Sequence, residues 1–164
     1  MSLNAIPLLS VIMFLPLLGA LIVLILPGEE NQKWWSLLVT TVTFLLSLAL
    51  FFYWKDGEAG FQFVERYAWI PQLGIDYHLG VDGISLFLVL LTTFLGPLTI
   101  LFSWDIKDRL KTYLFLMLLQ ETGVIGVFVS LDMVLFYLFW ELTLIPMYFL
   151  IGLWGGPRRV YAAV

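Results

Sequence analysis

Five apolar runs, each near the length needed to cross a bilayer, constrain this chain more than any other feature. They cover residues 5–26, 34–54, 84–102, 113–131 and 133–154. At about 1.5 Å per helical residue, each spans the ~30 Å hydrocarbon layer or nearly so. Composition agrees, with 62% hydrophobic residues, 12% charged residues and a mean hydropathy of +1.00. A single core built from 164 residues could not hide that much apolar surface from water, whereas lipid accepts it along whole helices. The expected fold class is therefore an all-α membrane protein of about five transmembrane helices, read as one transmembrane domain over residues 1–164. The first run has no basic leader and no polar mature domain after it, so it is expected to remain in place as a span rather than to be a cleaved signal. Tryptophans at both ends of the second run, Trp34 and Trp54, suit the headgroup layer. No internal repeat is visible.

The same composition narrows the chemistry. The chain has no cysteine, so it supplies no thiolate for an iron–sulfur cluster, no thiol nucleophile and no disulfide. A single histidine, His78, leaves little for haem or zinc. Redox cofactors are thus expected elsewhere, with none on this chain. The net charge of −4 is scattered, and no basic run points to nucleic acid.

Charge bias in the links sets the expected orientation. Lys33, Lys107, Arg109, Lys111, Arg158 and Arg159 fall in links on one side, against Lys55 and Arg66 on the other. Basic residues in short loops accumulate in the cytoplasm, so the N-terminus and the 55–82 loop are expected to face the periplasm of a bacterial inner (plasma) membrane. Within that loop, Phe61, Phe63, Tyr67 and Trp69, then Ile75, Tyr77 and Leu79, flank Pro71-Gln72-Leu73-Gly74. The partial alternation around a turn signal predicts a small extramembrane β-hairpin packed on helix ends or on a neighbouring subunit. His78 lies in it; an ordinary interface role outweighs a proton relay there.

Inside the spans, Gly96-Pro97 removes the usual partner of the Thr93 carbonyl and predicts a bent structural helix, with Thr92 and Thr93 able to satisfy local backbone groups. Thr122, Gly126 and Ser130 recur every four residues and predict close helix packing. Glu121, beside Gln120, and Glu141 are the acids within the predicted spans. Each lies about 14 to 15 Å from the turn near Asp132, close to the bilayer midplane, and that short turn makes helices four and five an antiparallel pair. Contact between the two carboxylates stays open, because sequence does not give helix rotation. A charged carboxylate at that depth is costly unless neutralised, hydrated or paired. Glu141 is the stronger candidate for proton transfer. Pro146 frees the Leu142 carbonyl nearby, and Tyr137 lies one turn away. For Glu121 a functional role and a protonated structural hydrogen bond are evenly matched.

The stretch Tyr77-His78-Leu79-Gly80-Val81-Asp82-Gly83-Ile84-Ser85, then Leu131-Asp132, Phe139-Trp140-Glu141-Leu142-Thr143-Leu144-Ile145-Pro146-Met147-Tyr148 and Gly152-Leu153-Trp154-Gly155-Gly156, resembles a known family. That family is the antiporter-like chain M, or chain 4, subunits of proton-translocating NADH:quinone oxidoreductase, respiratory complex I. The resemblance covers the whole chain and roughly the first third of the family. It implies that this is the N-terminal part of a larger antiporter-like helical bundle, with Glu141 as its proton-transfer glutamate, working with lysines on later helices. No role carries over to Glu121. It also implies that flavin, iron–sulfur clusters, NADH and quinone belong to partner subunits. The partners expected for this chain are other membrane subunits, the lipid bilayer and protons. A subunit of a multisubunit cation/proton antiporter or membrane-bound hydrogenase, and a non-pumping structural fragment, are the alternatives.

Overall fold

A computed structural model describes residues 7–58 and 60–159. Its elements run α1 (Leu8–Ile25), α2 (Glu29–Phe52), β1 (Gln62–Ile70), a 3-10 turn (Pro71–Leu73), β2 (Ile75–Val81), α3 (Gly83–Phe102), α4 (Leu110–Val129) and α5 (Met133–Trp154). All five α-helices are long and apolar enough to cross a membrane. The chain is thus an all-α membrane protein with a small two-stranded sheet. Residues 5 and 6 of the expected first span, and the apolar stretch after residue 159, lie outside the described residues.

The helices depart from the apolar runs where local chemistry extends or ends them. α2 begins at Glu29, five residues before the apolar run. Glu29 and Glu30 sit in its first turn, where carboxylates favour the positive end of the helix dipole, and the Gln32 amide donates back to the Leu26 carbonyl at 2.8 Å. The apolar run marks the lipid-exposed length, whereas the helix continues into the polar layer. α4 likewise begins at Leu110, three residues early, after Arg109 in a left-handed conformation. It stops at Val129 rather than 131 because Ser130 bridges Leu79 of β2 and the Leu131 amide donates to the His78 carbonyl at 2.8 Å.

Helix packing is dense where small residues allow it. α4 is central, packed against α1, α3 and α5 and touching α2. A methyl group added at Gly19 of α1 would lie 2.6 Å from a Val39 methyl of α2, so glycine sets how closely those helices approach. Within α2 a buried stripe of Ser36, Thr40, Thr43 and Ser47 turns inward. The first three hydroxyls donate to carbonyls four residues back, and the Ser47 hydroxyl meets that of Thr93 on α3 at 2.7 Å. Such bonds let polar side chains enter an apolar interior without an unmet donor. α3 remains helical through Pro97.

The hairpin is the antiparallel pair β1–β2, with Arg66 opposite His78 and Tyr67 opposite Tyr77, and with register irregularities between Gln62 and Glu65 and between Ala68 and Ile70. Phe63 takes a positive φ of 54° in the first of these. The irregularity re-aims the strand. Tyr67 and Trp69, toward the turn, are 59% and 49% exposed, while Glu65 is 8% exposed. Leu79 and Val81 are fully buried in a cluster with Leu9, Ile12, Leu86 and Val129. The hairpin therefore rests on helix ends of its own chain.

Two acids fix those ends. The Asp82 carboxylate accepts from the Ile84 and Ser85 amides while the Ser85 hydroxyl accepts from the Asp82 amide, a reciprocal cap on α3. The Asp132 carboxylate accepts from Val134 and Leu135 to start α5, and its other oxygen accepts from the Asp76 amide at 3.3 Å. These bonds stabilise the charged form, holding both carboxyls below the usual aspartate value, with the Ser85 amide the largest influence on Asp82 and the Leu135 amide on Asp132.

The opposite end of the bundle gathers the basic residues. Lys33 donates to the Trp104 carbonyl at 2.6 Å and Lys111 to the Leu24 carbonyl at 3.1 Å, while Arg159 donates to the Leu153 carbonyl at 2.9 Å.

Candidate functional site

The antiparallel pair α4–α5 positions both membrane acids. Ser130–Asp132 is its whole connection, and Asp132 caps the return helix. Two glycines of α4 face α5: a methyl at Gly126 would strike the Phe139 ring, and one at Gly123 would lie 2.9 Å from the Thr143 methyl. Those contacts fix the helix rotation. Glu121 precedes Gly123 by two residues and Glu141 follows Phe139 by two, so each is turned about 200° from the shared interface. The carboxylates share a layer but do not meet, which closes the question that sequence left open.

Glu141 stands on an exposed face of α5, about 12 Å along a helix of 22 residues. Tyr137, Leu144 and Tyr148, one to two turns to either side, are exposed on the same face. The Tyr137 hydroxyl lies beside the Glu141 carboxylate, as the four-residue spacing suggested. Pro146 is buried, so its ring packs inward while the Leu142 carbonyl it leaves unpaired falls one residue from Glu141. The polar groups that sequence assigned to this region are therefore adjacent along α5. No charged partner of Glu141 is found among the described residues.

Glu121 sits differently. It is 7% exposed and faces α3, where a methyl at Gly96 would lie 2.7 Å from its Oε1. Glycine there makes room for the carboxylate, a packing role that the Gly96-Pro97 pair did not reveal in sequence. A cavity of about 260 Å³ opens beside it between α2, α3 and α4, bordered by Thr40, Thr99, Gln120 and Glu121. Two buried oxygens there, Gln120 Oε1 and Glu121 Oε1, have no hydrogen-bond partner among the described residues.

A third acid escaped the sequence reading because it lies in a strand. The Glu65 carboxylate accepts from the Leu9 amide at 2.7 Å and the Ser10 amide at 3.3 Å, and takes a short hydrogen bond from the Ser10 hydroxyl. The Ser10 oxygen in turn meets the Tyr77 hydroxyl at 2.6 Å. Burial pushes the Tyr77 phenol above its ordinary value, with the Ser10 hydrogen bond opposing it. The carboxylate closes the open N-terminus of α1 and so ties the hairpin to the bundle. The residues beside Leu8 offer no capping side chain of their own, and that lack was the only sequence-level hint.

A multi-span helical membrane protein with an acid midway along its fifth helix is the class these features define. A family profile described as NADH-ubiquinone oxidoreductase chain 4, amino terminus, matches residues 9–125, and one described as NADH:quinone oxidoreductase/Mrp antiporter, TM, matches residues 130–164. The chain belongs to the NADH-ubiquinone oxidoreductase chain 4 family. NADH-quinone oxidoreductase subunit M of Rhodobacter capsulatus is 50% identical over 162 residues, covering 95% of this chain and 31% of the relative. The chloroplastic NAD(P)H-quinone oxidoreductase chain 4 of Chara vulgaris is 45% identical over 163 residues, covering 98% of this chain and 33% of that one. Among solved structures, a chain of respiratory complex I from Thermus thermophilus with bound NADH superposes with a TM-score of 0.73 at 31% identity, over 94% of this chain and 31% of that chain. A chain of the archaeal membrane-bound sulfane sulfur reductase shares the fold, with a TM-score of 0.72 at 20% identity over 88% of this chain and 23% of its own length. The chain spans about a third of the length of the curated relatives it matches.

Proposed function

We propose that this chain is the amino-terminal part of a longer antiporter-like subunit of a proton-translocating NADH:quinone oxidoreductase, and that Glu141 passes protons within it. The observation that carries the reading is the position of Glu141: a carboxylate midway along an apolar helix, on a face that the described residues leave open. Facing lipid, that group would cost several kcal/mol in its charged form, so the face requires protein or water against it. Further helices of the same subunit and neighbouring membrane subunits are the cover. Tyr137 and the freed Leu142 carbonyl then flank a group that takes up a proton in low dielectric and gives it up as a cation approaches. NADH oxidation, quinone reduction, and the flavin and iron–sulfur clusters they need belong to partner subunits. The basic end of the bundle faces the cytoplasm, and the hairpin and the start of α1 face the periplasm of a bacterial inner membrane.

One observation favours a second reading. The profile matching residues 130–164 is shared with Mrp antiporters, so a subunit of a multisubunit cation/proton antiporter would carry the same α5. Isolation of the native complex from membranes separates the two. Co-purification with NADH-dependent quinone reduction, and acidification of inverted vesicles on NADH addition, is the expected result. A complex that exchanges cations for protons without oxidising NADH would overturn the first reading in favour of the second.

A further inference from the structure

The pocket beside Glu121 has features that neither the packing of the bundle nor the role assigned to Glu141 uses. Glu121 is buried, and its Oε1 lacks a partner. The Gln120 Oε1, bordering the same cavity, also lacks one. An amide oxygen and a carboxylate oxygen are both acceptors, so neither can satisfy the other. Both are met by a molecule that donates two hydrogens, or by a proton on the carboxyl together with a donor to the amide. The hydroxyls do not fill the gap, because Thr40 donates to the Ser36 carbonyl, Thr92 to that of Leu88 and Thr99 to that of Gly96. Those hydroxyl oxygens keep lone pairs free to accept. The cavity is bordered by no basic side chain, so the carboxylate has no cation to pair with there.

Space and polarity both suit water. At roughly 30 Å³ per molecule, 260 Å³ accommodates several waters, and a buried water requires two to four polar partners. Glu121, Gln120, Thr40 and Thr99 border the cavity and supply them, while the remainder of the wall is largely apolar. Gly96 keeps the carboxyl at the cavity wall, since a methyl there would displace it.

We infer that the cavity between α2, α3 and α4 is a hydrated proton-holding site built on Glu121, separate from Glu141 and turned away from it across α4. Its ligand is a proton on the carboxyl, exchanged through water held by Gln120 and the threonine hydroxyls. This site lies outside the role proposed for Glu141, and its protonation is readable without turnover.

The test is infrared spectroscopy of the native membrane complex in light and heavy water at constant pH. A protonated-carboxyl C=O band should be present in the wild type, absent in Glu121→Gln and retained in Glu141→Gln, and it should shift within minutes of transfer to heavy water. Gly96→Ala crowds the carboxyl and Gln120→Leu removes an acceptor, so each should slow that shift at least tenfold; Gln120→Leu serves alone if Gly96→Ala fails to assemble. No difference between wild type and Glu121→Gln would overturn the proposal. So would a band that resists deuteration for hours, which marks a dry structural carboxyl, or loss of the band on adding sodium chloride, which assigns the pocket to a metal cation. Because the band is read at rest, its presence or absence is independent of whether the complex pumps.

Discussion

Replacing Gly126 with alanine should destabilise the helical pair that carries Glu141. The added methyl would fall within the Phe139 ring, striking ring atoms rather than the end of a flexible chain. Phe139 is 8% exposed and belongs to the cluster that includes Ile125, Val129 and Leu135, so it cannot swing aside freely. Overpacking of this kind costs about 1–3 kcal/mol, and alanine returns up to ~1 kcal/mol through its better helix propensity. The expected net loss is about 1–2 kcal/mol. Phe139→Leu vacates the space, so Gly126→Ala should cost less in that background, with a coupling of about 1–2 kcal/mol in the stabilising direction. Gly83→Ala is the control: it begins α3 with open space around it and should be neutral or slightly stabilising. Unfolding by sodium dodecyl sulfate in mixed micelles, followed by tryptophan fluorescence, gives all four differences. A Gly126→Ala chain as stable as wild type, or a cost unchanged by Phe139→Leu, would refute the assigned helix rotation and with it the separation of Glu121 from Glu141.

Further outcomes follow from the capped ends and the charge distribution. Glu65→Ala strips the charged acceptor from the Leu9 and Ser10 amides and should cost about 1.5–3 kcal/mol in the same assay, with Glu65→Gln losing less. Asp82 has a folded pKa below its unfolded value of about 3.9, so its contribution is complete above that value and is lost as pH falls through the lower folded one. Asp82→Asn, which keeps a capping oxygen, should therefore remove part of the acid sensitivity while retaining most of the cap, and an unchanged stability-versus-pH curve below pH 4 would contradict this. Cysteines introduced at Gly57 and at Lys107 should react with an impermeant reagent from opposite sides of the membrane, and labelling of Lys107→Cys from the periplasm would invert the orientation.

The lengths of the apolar runs made five spans legible, and Pro71 to Gly74 marked the hairpin turn, because both signals lie within one continuous stretch of chain and need no knowledge of tertiary contacts. Helix rotation was not legible. α4 is apolar on nearly every side, so no polar stripe says which face meets α5, and only the contacts of Gly123 and Gly126 reveal it. The small-residue spacing of Thr122, Gly126 and Ser130 pointed to close packing, yet Gly123 proved to share the α5 contact. Strand alternation gave no sign of the irregularity around Phe63, where one extra residue shifts the register and brings Glu65 to the start of α1, while Tyr67 and Trp69, nearer the turn on the same strand face, stay exposed. The Ser36, Thr40, Thr43 and Ser47 stripe was readable at helical spacing, but the apolar residues around it masked the signal. Glu141 and its neighbours Tyr137 and Pro146 were legible because an acid within an apolar run is itself an exception that demands a reason.

The role of Glu141 is tested most directly by proton pumping in inverted membrane vesicles that carry the substituted subunit, with assembly of the complex measured separately. Glutamine preserves the shape and hydrogen bonding of the side chain but cannot ionise, so Glu141→Gln should assemble normally and lose most of the pumping. Glu141→Asp retains an acid that reaches one methylene less far and should keep part of it, while Glu121→Gln should have the weaker effect of the two glutamine variants. Undiminished pumping by an assembled Glu141→Gln complex would contradict proton transfer through this residue and leave it a structural side chain on α5.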